Sequence, residues 1–221
     1  VIESGESASF VCKMEDVLDL YHESYDERRP VVCFDESNKD LHKHVRDPLP
    51  ERPGAVARYD YTYERNGTRN LFMMSEPLTG WRHVDVTKRR RKQEFAEQMR
   101  SLVDEHYPDA DCIRVVLDNL SSHQRYALYE FLPAAEANRV LSKLEFHFTP
   151  EHGSWLNMAE IEFSALTTEC LDRRIPDAAT LRAEVAAWER TRNNDDSAID
   201  WQFTSDDARI KLRQLYPTNH D

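Results

Sequence analysis

The sequence predicts an α/β fold, a mixed β-sheet flanked by helices. Three observations carry this. Two near-continuous apolar runs, in VVCFDES (31–37) and IRVVLDN (113–119), have the pattern of strands buried on both faces, and each runs straight into an aspartate. Between them, aromatic and polar residues alternate around an Asn-Gly pair, as antiparallel strands do. After the second run, helical periodicity alternates with a further short strand. An antiparallel start followed by strand–helix alternation implies one mixed sheet covered by helices.

The elements follow in order. Residues 1–30 read as a helical lead-in, with Met14, Val17, Leu18 and Tyr21 at helical intervals and Arg29-Pro30 ending it, because proline disfavours a helical residue before it. Val31–Asp35 is the first buried strand. Residues 37–56 are polar, with three prolines and a glycine, and are expected to form a long loop or crossover. Tyr59, Tyr61 and Tyr63 alternate with polar residues ahead of Asn66-Gly67, which predicts a hairpin there. PLTGW makes another turn and RHVDVT a further short strand. In KQEFAEQMRSLVDEHYPD, Phe95, Met99, Leu102 and Val103 share a helical face, and Pro108 closes the helix. Ile113–Leu117 is the second buried strand. RYALYEFLPAAEANRVLSKL is helical on both sides of Pro133, and EFHF is a short strand. The next helix has a buried stripe of Leu156, Ala159, Phe163, Leu166 and Cys170. A helix near 178–192 and a polar tail complete the chain. This divides it into a lead-in (1–30), a core (31–175) and a helical extension of the same domain (176–221). The order suits a ribonuclease-H-like fold.

The chain has 221 residues, 40% of them hydrophobic, enough for one sizeable core. Net charge is −12, from 41 acidic and 29 basic residues, which excludes tight non-specific nucleic-acid binding over the whole surface. It does not exclude an acidic site that holds divalent metal and relies on another domain for DNA affinity. No apolar run approaches the roughly 18 residues of a membrane span. The N-terminal VIESGESASF is not a signal peptide. The expectation is a cytoplasmic protein with no membrane partner, and, lacking an initiator Met, a fragment of a longer chain. Cys12, Cys33, Cys112 and Cys170 form no C-x-x-C pair and read as free thiols. His42, His44 and His147 have no zinc spacing.

In open α/β sheets, ligands collect beyond the carboxyl ends of strands, where Asp35 and Asp118 both fall. If the strands are parallel neighbours, the two carboxylates repel unless one is protonated or a cation lies between them. Mg²⁺ takes oxygen ligands and few protein carboxylates. Two such ions about 3.5–4 Å apart clamp the attacking and leaving oxygens of a phosphodiester. A third carboxylate is expected from the helix after the last strand. At about 100° per residue, Glu160 and Glu162 lie on opposite flanks of its buried stripe. Spacing alone does not choose between them. A competing reading makes Asn157-x-x-Glu160 a helix N-cap with its partner three residues on.

Other residues are candidates for DNA contact or for supporting the carboxylates. TKRRRKQ places Lys88, Arg89, Arg90 and Arg91 at a helix N-terminus, where an external anion offsets the unfavourable dipole. A solvated surface is the alternative. Glu36 points away from Asp35 by strand alternation and reads as structural or supporting. Asn119 and His123 follow Asp118; His123 orients DNA or a carboxylate, or is simply a loop histidine. His152, Ser154 and Trp155 lie in the loop entering the third-carboxylate helix. There Ser154 is a candidate N-cap, and Trp155 is a core anchor or a stacking platform for DNA.

CFDES, LDNLSSH and HFTPEHGSWLNMAEIEFSAL together resemble the DDE transposases of bacterial insertion sequences, and most of all the IS-six-thirty branch of the mariner superfamily. The resemblance runs from about Phe10 to Pro217 and includes KMEDVLDLY, RYDYTYERNGTRNLFM, LDRRIPD and DWQFT. It implies that Asp35, the Asp118 of the DN pair and the Glu160 of the N-x-x-E helix bind two Mg²⁺ or Mn²⁺ ions. It also implies cleavage of transposon-end DNA and strand transfer into target DNA, by a homodimer at the bacterial nucleoid. The 41 residues between Asp118 and Glu160 exceed the spacing in many mariner relatives, so extra helix is expected around Pro133. The family's N-terminal helix-turn-helix is not in this sequence. Two other functions are weighed against this one: a stand-alone ribonuclease-H-like nuclease, and a non-catalytic DNA-binding or assembly remnant.

Overall fold

The computed structural model describes residues 7–46, 51–54, 56, 61–195 and 197–217. Five strands form one sheet in the order β3-β2-β1-β4-β5. They are β1 (Val31–His44), β2 (Tyr63–Glu76), β3 (Trp81–Thr87), β4 (Ile113–Leu117) and β5 (Leu144–Phe148). β1–β2–β3 is antiparallel, whereas β4 pairs parallel with both β1 and β5.

Strand alternation divides the apolar residues between two cores. Val31 and Cys33 face one core, with α1 (Ala8–Tyr21), α5 (Ala159–Leu166), α6 (Ala178–Asn194) and α7 (Ser205–Lys211). Val32 and Phe34 face the other, with α2 (Lys92–Ser101), α3 (Arg125–Phe131) and α4 (Ala134–Ser142). α3 and α4 flank Pro133, which breaks the run because it has no backbone N–H to donate. The lead-in helix is bound to the tail: Arg209 bridges to Glu15 at 2.9 Å, and Ser205 Oγ donates to Asp19 at 2.5 Å. Among the described residues no helix is long and apolar enough to cross a membrane.

Three expectations are corrected. The lead-in helix α1 ends at Tyr21, with His22 as its C-cap, and not at Arg29-Pro30. Residues 37–44 are not loop: β1 continues to His44, paired with β2 along its length. Only Leu41 of that half is buried, so it has no apolar alternation to reveal a strand. Asn66-Gly67 is not a hairpin turn either. It lies within β2, where the register slips by one residue between Asp40 and His42. Gly67, at φ +84°, supplies the left-handed residue of a bulge, and Asn66 Nδ2 donates to Pro176 O at 2.8 Å. The hairpin joins β2 to β3 through Pro77–Gly80 instead, with Gly80 at φ +71°. A Cβ there would lie 2.8 Å from the Ser197 carbonyl carbon, so the position needs glycine twice over. Tyr59 of the expected alternation and residues 47–50 of the expected loop lie outside the described residues.

Candidate functional site

The parallel pairing of β1 with β4 runs Val31↔Arg114, Val32↔Val115, Cys33↔Val116. Two residues further along that register, Asp35 stands level with Asp118. Asp35 lies within β1, still paired with β2 (Asp35↔Met73), while Asp118 follows the last residue of β4. By alternation with Val31 and Cys33, Asp35 lies on the face that carries α5. Asp35 Oδ1 accepts the backbone N–H of Glu36 at 2.8 Å.

The start of α5 is tied to β1 beside Asp35. The buried Asn157 donates from Nδ2 to Phe34 O at 2.9 Å and accepts from the Ala159 N–H at Oδ1. Asn157 therefore does not form the N-cap pair with Glu160. Its amide reaches across to the strand instead, which fixes where the helix begins. Asp35 and Glu160 consequently line one open cleft of about 420 Å³, with Ser37 and Ser164.

The two glutamates of α5 part company. Glu162 is buried, with Oε2 2.9 Å from Arg82 Nε and Oε1 3.2 Å from Arg192 Nη2. Glu160 is exposed in the cleft and faces Asp35 electrostatically. Burial raises the Asp35 carboxyl to about 7, the Glu36 amide opposes this, and the charges of Asp118, Glu160 and Glu36 add to it. The donor chemistry fits a hard divalent cation: an all-oxygen set of acidic groups, one of which is held protonated to neutrality, chiefly by burial and further by its acidic neighbours. As the side chains stand, no three acid, imidazole or thiol groups among the described residues converge on one point.

Asp118 is held from the other side. His123 is fully buried, with Nδ1 2.5 Å from Asp118 Oδ1 and Nε2 2.7 Å from Glu36 Oε2. Burial alone would lower its pKa, but the hydrogen bonds to Asp118 and Glu36 outweigh that and raise it to about 9. Arg90 Nη1 lies 3.9 Å from Glu36 Oε1, which brings one residue of the basic run to this cluster. Lys88, Arg89 and Arg91 are exposed around the start of α2, where Glu94 accepts the Arg91 backbone N–H.

Asp118 also lines a cavity of about 600 Å³, together with Asn119, His152, Ser154 and Lys13. His152 is exposed and sits at φ +59°. Ser154 does not cap α5 with its side chain; it opens a 3₁₀ turn, Ser154–Leu156, that precedes the helix. Trp155 is half-buried against Trp201 (6.4 Å, stacked) and Phe203 (5.9 Å, edge-on), which makes it a core anchor for the tail. Sequence reasoning overlooked Arg82 and Lys13. A signal for Arg82 was present: it alternates with Val84 and Val86, and so lies on the buried face of β3.

Residues 30–182 match the family described as DDE superfamily endonuclease. In fold, the chain is similar to the Mos1 mariner paired-end complex with Mn (TM-score 0.59, 15% identity, 86% of this chain and 56% of that one). It is also similar to the mariner Mos1 paired-end complex with Mg (0.57, 13%, 99% and 66%). A third likeness is to the catalytic domain of Mos1 mariner transposase (0.57, 11%, 89% and 96%). The expected ribonuclease-H-like fold is borne out. The chain spans only 56% of the Mos1 chain in the first of these complexes. No curated protein matches the sequence.

Proposed function

We infer, on the premise that this chain belongs to the DDE superfamily endonucleases, that it is the catalytic domain of an insertion-sequence transposase of the IS-six-thirty branch. In this reading it cuts transposon-end DNA and joins the freed 3′-hydroxyl to target DNA, acting as a homodimer at the bacterial nucleoid. Asp35, Asp118 and Glu160 are its metal ligands. One observation carries the reading: the charges of Asp118 and Glu160 both act on a partly buried Asp35 at the carboxyl end of a parallel strand pair.

Each residue has a physical task. Asp35 calls for a counter-charge, since burial and its acidic neighbours keep it protonated up to about pH 7. Glu160 is presented by a helix whose start is tied to Phe34 O through Asn157. Asp118 is oriented by the loop that follows β4. Two Mg²⁺ or Mn²⁺ ions bound by these carboxylates would lower the pKa of the attacking water or hydroxyl and stabilise the leaving oxygen. Lys88, Arg89 and Arg91, exposed near the cluster, take the phosphates of the flanking DNA.

The test is nicking of a supercoiled plasmid by the chain in Mn²⁺, followed by joining of a pre-cut transposon-end duplex. Asp35→Asn, Asp118→Asn and Glu160→Gln should each reduce nicking about 10³-fold. Glu64→Gln, on the exposed part of β2, should not. Nicking that survives all three substitutions overturns the assignment. Nicking without any joined product favours a nuclease that does not transfer strands.

A further inference from the structure

Glu36 and His123 are buried polar side chains to which the chemistry above gives no part. Glu36 alternates to the face of β1 opposite Asp35, and its side chain is 4% exposed. His123 is wedged between two rings of the second core, edge-on to Phe34 at 5.4 Å and tilted against Phe95 at 5.0 Å. The loop after β4 turns back on itself to put it there, with the His123 N–H donating to Leu120 O at 3.0 Å. Both ring nitrogens meet carboxylates, Asp118 on one side and Glu36 on the other. A ring bonded at both nitrogens and packed against Phe34 and Phe95 cannot turn without losing these contacts. Asp118 needs such a partner, because it stands one residue past the end of β4, where the strand ladder no longer holds it.

We propose that Glu36 and His123 form a clasp that fixes the Asp118 carboxylate, committing Oδ1 to the protein and presenting the rest of the group to a divalent cation. Glu36 and His123 are thus positioning residues of the phosphodiester chemistry, acting through Asp118. The two consecutive acids of β1 serve one site from opposite faces of the sheet: Asp35 directly, Glu36 by way of the imidazole. The proposal rests on the reading of Asp118 as a metal ligand.

The test is calorimetric titration of the chain with Mn²⁺, read beside the plasmid-nicking rate and the thermal midpoint. Glu36→Ala should weaken Mn²⁺ binding about tenfold or more, the scale of groups that orient metal ligands. Glu36→Gln, which keeps an acceptor oxygen for Nε2–H, should recover most of that loss. His123→Asn, which keeps an N–H donor near the position of Nδ1, should bind Mn²⁺ more tightly than His123→Leu. Wild-type affinity in Glu36→Ala and His123→Leu overturns the clasp. So does a loss that tracks the thermal midpoint and is not relieved by Gln or Asn, since that pattern belongs to a purely structural role. If Asp118→Asn itself binds Mn²⁺ like the wild type, the reading of Asp118 as a ligand fails, and that result is separable from the behaviour of the Glu36 variants.

Discussion

Two acidic regions flank α5, and they are built on opposite terms. On one flank, Glu162 is buried between Arg82 and Arg192, while Glu169 takes Arg192 at 3.4 Å and Trp188 Nε1 at 2.7 Å. Two carboxylates there meet two guanidinium groups. On the other flank, Asp35 and Glu160 line an open cleft, while Asp118 and Glu36 share the His123 imidazole, with Arg90 at 3.9 Å from Glu36. The same chemical group thus closes its charge within the protein at one place and leaves it open at the other, two residues apart on one helix. Neutralised acid holds the helix against β3 and α6. Acid left facing an open cleft has the donor chemistry that a divalent cation takes.

The largest effect should come from breaking the neutral flank. Glu162→Ala leaves the Arg82 guanidinium buried without its partner, and urea unfolding should register a loss of about 3–5 kcal/mol. A loss under about 1 kcal/mol would mean that Arg82 finds water or another acceptor. Next is the tie between the flanks. Asn157→Ala removes the bond to Phe34 O, and should cost about 1–2 kcal/mol in the same assay while weakening Mn²⁺ binding. Unchanged Mn²⁺ affinity would show that the start of α5 is fixed by packing alone.

The smallest effect should have the opposite sign. Asp35→Asn removes a carboxyl whose charge is disfavoured by burial and by its acidic neighbours, and should raise the stability of the metal-free chain by about 1 kcal/mol above pH 7 while removing Mn²⁺ binding. The pH dependence follows from the direction of the shift. The folded-state value for Asp35, about 7, lies above the ordinary 3.8, so its contribution is whole below about pH 4 and is lost as pH rises through 7. His123, raised from 6.5 to about 9, loses its contribution over a higher window, as pH rises through 9. The stability of wild type minus that of Asp35→Asn should therefore fall between pH 4 and pH 7 and stay flat above. A flat difference throughout would mean that Asp35 is not perturbed.

Much of this was legible in the sequence for physical reasons. IRVVLDN announced a two-sided strand, and Pro133 split one helical run into two. The spacing in α5 set Glu160 and Glu162 on different flanks, but which of them is buried was not there to read. It depends on Arg82, which β3 delivers from 80 residues away. Glu36 read as structural or supporting, because strand alternation turns it away from Asp35; what the sequence did not show is that its link to Asp118 runs through a histidine 87 positions later in the chain. The second half of β1 was hidden because backbone pairing, not apolar burial, makes it a strand. Asn-Gly was misplaced because a left-handed glycine serves a bulge as well as a turn.

The most direct test of the open flank is a carboxyl-carbon NMR titration of Asp35 in the metal-free chain, repeated in Asp118→Asn, in Glu160→Gln and with saturating Mg²⁺. The three carboxylates forming one cation-requiring cluster predicts titration near 7 in the wild type. It further predicts a lower value when either neighbour is neutralised and the lowest value with Mg²⁺ bound. An Asp35 that titrates in the ordinary carboxylate range, unmoved by either substitution and by Mg²⁺, would contradict it.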